Sequence, residues 1–217
     1  MISQVDWDWL VTHLDDIAYR TVQHLYLTTI AVVVGFVISF GLAILAVRRR
    51  RTAAPIVGVS DLLYTIPSLA LFGTLITITG ISLLTVEIPL VLYTLTILVR
   101  NMLTGLREVP LDSLDAANGL GFTGPQRLWR VEVPLAVPLI VAGVRLAAVS
   151  TIGLVTVTAI MGDAYGGLGF FILEGYRRSF PLELYTGAIP SILLAFAVDA
   201  ALVRLQRRIT PWTLATA

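Results

Sequence analysis

Residues 24–51 read HLYLTTIAVVVGFVISFGLAILAVRRRR. From His24 to Val47 no Asp, Glu, Lys or Arg interrupts the run, which is long enough for the ~20 helical residues that cross a ~30 Å hydrocarbon core. Arg48 to Arg51 then stop it, and a basic cluster at the end of an apolar run marks a cytoplasmic membrane edge. The apolar, charge-bounded pattern returns at about 57–79, 83–106, 135–161 and 184–205. It predicts an all-α membrane protein with about five transmembrane helices.

Composition points the same way. Of 217 residues 57% are hydrophobic and 13% charged, against about a quarter charged in a soluble domain, and the mean hydropathy is +0.87. No separate soluble domain is visible. A net charge of +1 gives no case for nucleic-acid binding, which needs a concentrated basic face. The absence of cysteine removes disulfides, thiolate metal sites and cysteine nucleophiles together. Every basic residue is arginine, so the lysine of a phosphate-cradling P-loop is missing and the chain is not its own ATPase of that type.

Arginines also orient the chain. Arg48 to Arg51, Arg100, Arg107, Arg127, Arg130, Arg204, Arg207 and Arg208 fall on one side of the five spans, and Arg20, Arg177 and Arg178 on the other. The larger set belongs in the cytoplasm, which puts the N-terminus outside and the C-terminus inside. The domain reading is an external segment 1–22, a transmembrane domain 23–208 with a cytoplasmic connection 107–134, and a cytoplasmic tail 209–217. In the first segment Asp6, Asp8, Asp15 and Asp16 accompany Trp7, Trp9 and Tyr19, which suits an interfacial helix rather than a signal peptide.

The connection from Thr104 to Pro134, TGLREVPLDSLDAANGLGFTGPQRLWRVEVP, is too long for a turn between helices. Asp112 or Ser113 can cap a short helix holding Leu114, Ala116, Ala117 and Leu120. Gly121 suits its left-handed end, and Pro125 opens a second short segment with Leu128, Trp129 and Val131. The alanines at 116 and 117 offer a smooth face that another protein could approach closely.

Asp115-Ala116-Ala117, Gly121 and Val131-Glu132-Val133-Pro134 resemble the E-A-A, G, I-x-L-P signature of ABC importer permeases, with Asp115 in place of Glu and Val in place of Ile and Leu. The resemblance implies a type I permease core whose segment is the coupling helix docking on a separate ATP-binding subunit. It also implies a second permease copy or paralogue and an extracytoplasmic substrate-binding protein, with ATP bound by the partner and no cofactor in this chain. A narrower likeness, carried by HLYLTTIAVVVGFVISFGLAIL, DLLYTIPSLALFG and AIMGDAYGGLGFFILEG, is to permeases for osmoprotectants such as glycine betaine, choline, carnitine or proline. Importers for amino acids such as methionine share the layout and form the alternative.

Three groups of residues remain. Pro67 removes a backbone hydrogen bond inside the second span, and the hydroxyls of Thr65 or Ser68, beside Tyr64, can help satisfy the kink of a pathway wall. Gly166, Gly167 and Gly169 lie in a glycine-rich stretch, Gly162 to Pro181, interleaved with Tyr165, Phe170, Phe171 and Tyr176. The resemblance implies a reentrant or gating segment there; the aromatics suit an interfacial belt more than cation–π contact with a quaternary ammonium. Arg100, Arg145 and Asp199 are charges at membrane depth, and Asp199 is expected to neutralise Arg145 or Arg100. Glu87 reads as interfacial. His13 and His24 lack metal-ligand spacing, so an intramembrane enzyme is the remote alternative.

Overall fold

The computed structural model describes residues 7–211, so Asp6 of the expected N-terminal segment and most of the 209–217 tail lie outside them. Every element described is helical: α1 Trp7–Thr12, α2 Leu14–Arg48, α3 Arg50–Thr65, α4 Ser68–Thr79, α5 Leu83–Arg107, α6 Leu111–Gly119, α7 Gly124–Arg127, α8 Val133–Val155, α9 Gly169–Arg177 and α10 Pro181–Ile209. A π turn, Leu128–Glu132, joins α7 to α8, and a 3₁₀ stretch, Thr156–Ala164, follows α8. Four helical stretches are long and apolar enough to cross a membrane, and a fifth span is reached if α3 and α4 count as one.

The helices depart from the expected spans in three places. The first helix begins at Leu14, ten residues before His24, because Asp15 and Asp16 sit in its first turn, where the helix dipole favours negative charge. The second span is broken rather than kinked. Pro67 at φ −58°, ψ 128° caps α4, and α3 has already ended at Thr65. Thr65 still ties its hydroxyl to Leu62 O at 2.7 Å, as the lost ladder bond invites. The connection 107–134 holds a short helix, a turn and a second helical segment, with only Glu108–Pro110 and Leu120–Thr123 outside helical elements. Finally, α8 stops at Val155 and the chain tightens to 3₁₀ before the expected end at Met161, with Gly162 at φ +78° outside any helical conformation.

The π turn has a local cause. Pro134 has no N–H for Arg130 O and its ring crowds that carbonyl, and the turn before it is widened so that Val133 N–H bonds Leu128 O, five residues back.

Residues group into two compact units. Among the described residues one holds 7–32, 66–91 and 148–198, and the other holds 33–65, 92–147 and 199–211. The first unit packs Leu27, Ala31, Phe72, Val86, Leu90 and Met161. The second packs Ala43, Leu98, Met102, Leu106, Leu128 and Ala136, with small residues allowing close helix approach. Arg20, Arg177 and Arg178 belong to the first unit and every other arginine to the second, the same partition that the charge rule makes from sequence.

Candidate functional site

The signature residues lie in one hairpin of the second unit. Pro110, not Asp112 or Ser113, caps α6, since its fixed φ of −57° with ψ 134° turns the chain into the helix. Asp112 instead sits in the first turn. The far end closes as a Schellman motif: Phe122 N–H bonds Ala117 O at 3.1 Å and Gly121 N–H bonds Asn118 O at 3.0 Å, with Gly121 at φ +75°. The expected alanine face is corrected by one residue. Ala116 and Asp115 are exposed, but Ala117 is 3% exposed and belongs to the base with Ser113 and Leu114. The outward side is completed by Leu111 and Leu120, 74% and 75% exposed at the two ends of α6.

What holds this hairpin was not legible as a motif. Glu132, buried inside the V-E-V-P stretch, takes a 2.8 Å bond from Arg127 Nε, and Arg127 Nη1 reaches Asn118 Oδ1 at 2.9 Å. One guanidinium thus ties the end of α6 to the π turn. Thr123 N–H bonds Gln126 Oε1 at 2.9 Å at the start of α7, and Arg48 Nη2 donates to Gly124 O at 2.9 Å. Val131 and Pro134 are half-buried beside them.

The same unit resolves the charges at membrane depth. Asp199 accepts from Arg145 through both carboxylate oxygens, at 2.9 and 3.2 Å, which is the bidentate geometry of a strong pair. Arg100 is paired instead with Asp61, a residue the sequence reading passed over. Tyr64 and Thr65 end α3, with the Tyr64 ring edge-on to Tyr93 at 5.5 Å, whereas Pro67 and Ser68 begin α4 in the other unit.

The glycine-rich stretch lies wholly in the first unit. Gly169 is held where a Cβ would stand 2.6 Å from Thr156 Cα, so α9 crosses the 3₁₀ stretch backbone to backbone. Gly167 is left-handed at φ +49°, and Gly166 is buried beside it. Two of the aromatics already meet a cation of this chain: the Arg20 guanidinium lies 3.6 Å from the Phe170 ring centroid and 5.3 Å from that of Phe171. Tyr176 alone of the four is strongly exposed. Glu87, expected at the interface, is 7% exposed, and neither carboxyl oxygen has a partner among the described residues.

Long apolar helices, an exposed hairpin before α8 and a glycine-rich return after it are the layout expected of a transport permease core. The chain belongs to the family of binding-protein-dependent transport system inner membrane components, which it matches over residues 24–212. It is therefore a multi-pass inner-membrane transport component.

Among its relatives, the osmoprotectant import permease protein OsmW of Salmonella typhimurium is 40% identical, over 90% of this chain and 92% of the relative. The glycine betaine/carnitine/choline transport system permease protein OpuCB of Bacillus subtilis is 32% identical over 94% and 93%. The carnitine transport permease protein OpuCB of Listeria monocytogenes is 36% identical over 88% and 87%. Among solved structures, a chain of the MetNI methionine ABC transporter in an inward-facing form superposes with a TM-score of 0.76 at 20% identity, covering 95% of this chain and 99% of that one. A chain of an amino acid ABC transporter with histidines gives 0.73 at 15%, over 94% and 99%. At these identities the structural likeness speaks for the fold alone.

Proposed function

We propose that this permease moves a small osmoprotectant of the glycine betaine, choline, carnitine or proline class across the inner membrane, driven by separate ATP-binding subunits. The observation that carries the coupling role is α6: a short helix presenting Asp115, Ala116, Leu111 and Leu120 outward from a base fastened by Arg127 and closed on Gly121. An exposed apolar rim on a rigid corner is what a cleft in a partner ATPase would grip. Two permease copies, or this chain and a paralogue, enclose the pathway, and a binding protein delivers solute to the side holding Gly166, Gly167 and Gly169. Closure of the ATPases pushes α6, and the helices beyond it transmit the movement. The substrate class rests on the relatives, whose names all concern osmoprotectants, against a methionine likeness that extends to the fold only. Tyr64, Thr65, Pro67 and Ser68, at a break in an apolar stretch, are proposed to line the moving wall.

The test is uptake of radiolabelled glycine betaine by cells carrying the permease with its ATPase and binding protein, at verified membrane levels. Ala116→Glu is the probe, because Ala117 is buried and a charge there would disrupt the corner itself. Uptake lost in the variant supports both assignments. Uptake indifferent to it removes the coupling role, and no betaine uptake by the parent redirects the substrate search.

A further inference from the structure

The segment Asp163–Leu168 cannot hold its own shape. Left-handed backbone at Gly162 and Gly167 prevents a continuous helical ladder, so its peptide groups need partners elsewhere. Thr158 Oγ1, 2.6 Å from Tyr165 O, is a local one. Gly167 O, which takes Phe170 N–H at 3.2 Å, has another. A single face of α2 supplies further partners, at spacing i, i+3, i+4. Arg20 bonds Asp163 Oδ1 through Nη2, its Nε lies 3.0 Å from Asp16 Oδ1, and its planar head covers Phe170. Gln23 donates from Nε2 to Ala164 O and accepts Gly167 N–H at Oε1, both at 2.8 Å. His24, fully buried, lies with Nε2 2.9 Å from Ile152 O and Nδ1 3.3 Å from Leu168 N. A carbonyl at one ring nitrogen and an N–H at the other fix the tautomer with the hydrogen on Nε2.

We infer that Arg20, Gln23 and His24 form a clamp that holds the glycine-rich segment in this conformation, and that they act as positioning residues for transport. Movement of the segment must break several of these bonds together, since each partner sits on the same helix face. Opening is therefore a discrete step rather than a gradual bending. This second part rests on the reading of the segment as a gate. None of the three residues is exposed, so they set the movement without forming the surface a partner meets.

The absence of cysteine makes the test direct. Leu168, fully buried, is replaced by Cys as a reporter, and its labelling by a membrane-impermeant thiol reagent is followed in the assembled transporter. Each hydrogen bond lost to the segment itself is expected to speed labelling by roughly two- to tenfold. Gln23→Leu, which loses two, gives the larger rise. His24 gives the sharper comparison. His24→Asn keeps an acceptor where Nδ1 stood and restores the parental rate, whereas His24→Gln keeps only the donor to Ile152 and labels faster. In reconstituted uptake of glycine betaine, Gln23→Leu and His24→Gln lower kcat and leave the KM for loaded binding protein unchanged. Unaltered labelling in Gln23→Leu, or equal labelling in the two His24 variants, overturns the clamp. Faster labelling with unaltered kcat overturns its role in transport while leaving the permease assignment intact. No uptake by the parent counts against the substrate class alone, and labelling still decides the clamp.

Discussion

The hairpin from Leu111 to Glu132 and the glycine-rich segment from Gly162 to Leu168 both interrupt long helices, and they are fastened in opposite ways. The hairpin supplies most of its own fastenings: a proline cap, a Schellman end, the Thr123–Gln126 bond and the Asn118–Arg127–Glu132 chain all fall within 23 positions of Pro110, with Arg48 the one distant hydrogen-bond partner among the described residues. The glycine-rich segment borrows from α2, between residues 141 and 144 positions apart. A self-fastened element can be pushed as a rigid piece. An element fastened to its neighbour changes state when that neighbour's grip is lost.

The contrast is broken most severely at its closest backbone crossing. Gly169→Val drives a branched side chain into Thr156, where backbone and not a movable side-chain tip is in the way. The expected loss is about 3 kcal/mol or more of stability, read as loss of membrane-inserted protein. In the hairpin, Gly119 faces open space, and Gly119→Ala should leave that level unchanged or slightly raised. Next in size is Arg127→Ala, which strands the buried Glu132 carboxylate and frees Asn118. Because Arg127 is partly exposed, about 2–3 kcal/mol of thermal stability in detergent is expected to go, less than for a fully buried pair. Glu132→Gln, which removes the charge and keeps a hydrogen-bonding oxygen, should lose less.

How much of this could be read in the chain follows the same division. The course of the hairpin was legible because its turn signals are local: Gly121, Pro125 and the D-A-A run announce a short helix, a left-handed end and a restart, though not the Asn118–Arg127–Glu132 chain. Its cap was misassigned because Asp112 and Ser113 are ordinary capping residues, whereas Pro110 acts through its fixed φ and leaves no side-chain signal. Pro67 announced a disturbance but not its size, since proline alone does not distinguish a kink from a break. The clamp was illegible. His24 opens a run of apolar residues, and nothing in its neighbourhood names Leu168 or Ile152. The partition of arginines between the two units was visible throughout, because charge placement in a membrane chain answers to the bilayer and not to one contact.

A third test concerns the pairing inside the hairpin's unit. Asp199→Ala leaves Arg145 with only Gln206, whose Oε1 is 3.4 Å away, and about 1–2 kcal/mol of thermal stability should be lost. Replacing both partners, as Arg145→Met with Asp199→Leu, should recover most of it, because an apolar pair of similar volume carries no desolvation cost. A double variant no better than the single would mean that Arg145 has a task beyond the pair.

The smallest effects come from the two helix ends that share one geometry. α9 closes like α6, with Phe180 N–H on Gly175 O at 2.8 Å, yet its left-handed position is Ser179 at φ 53° where α6 has Gly121. Ser179→Gly should therefore raise stability, and Gly121→Ala lower it, each by about 1 kcal/mol, since only glycine occupies that region without strain. Gly121 permits a finer separation. A Cβ there meets nothing within 4 Å of this chain, so any penalty beyond strain comes from outside it. Asn tolerates the left-handed region better than Ala but is larger. If Gly121 serves only the turn, Gly121→Asn is the milder change in both melting temperature and uptake. If an ATPase approaches that corner closely, the order splits, with Asn milder for stability and Ala milder for uptake. The split is the outcome expected here, because Leu120 beside it is exposed as a docking residue would be.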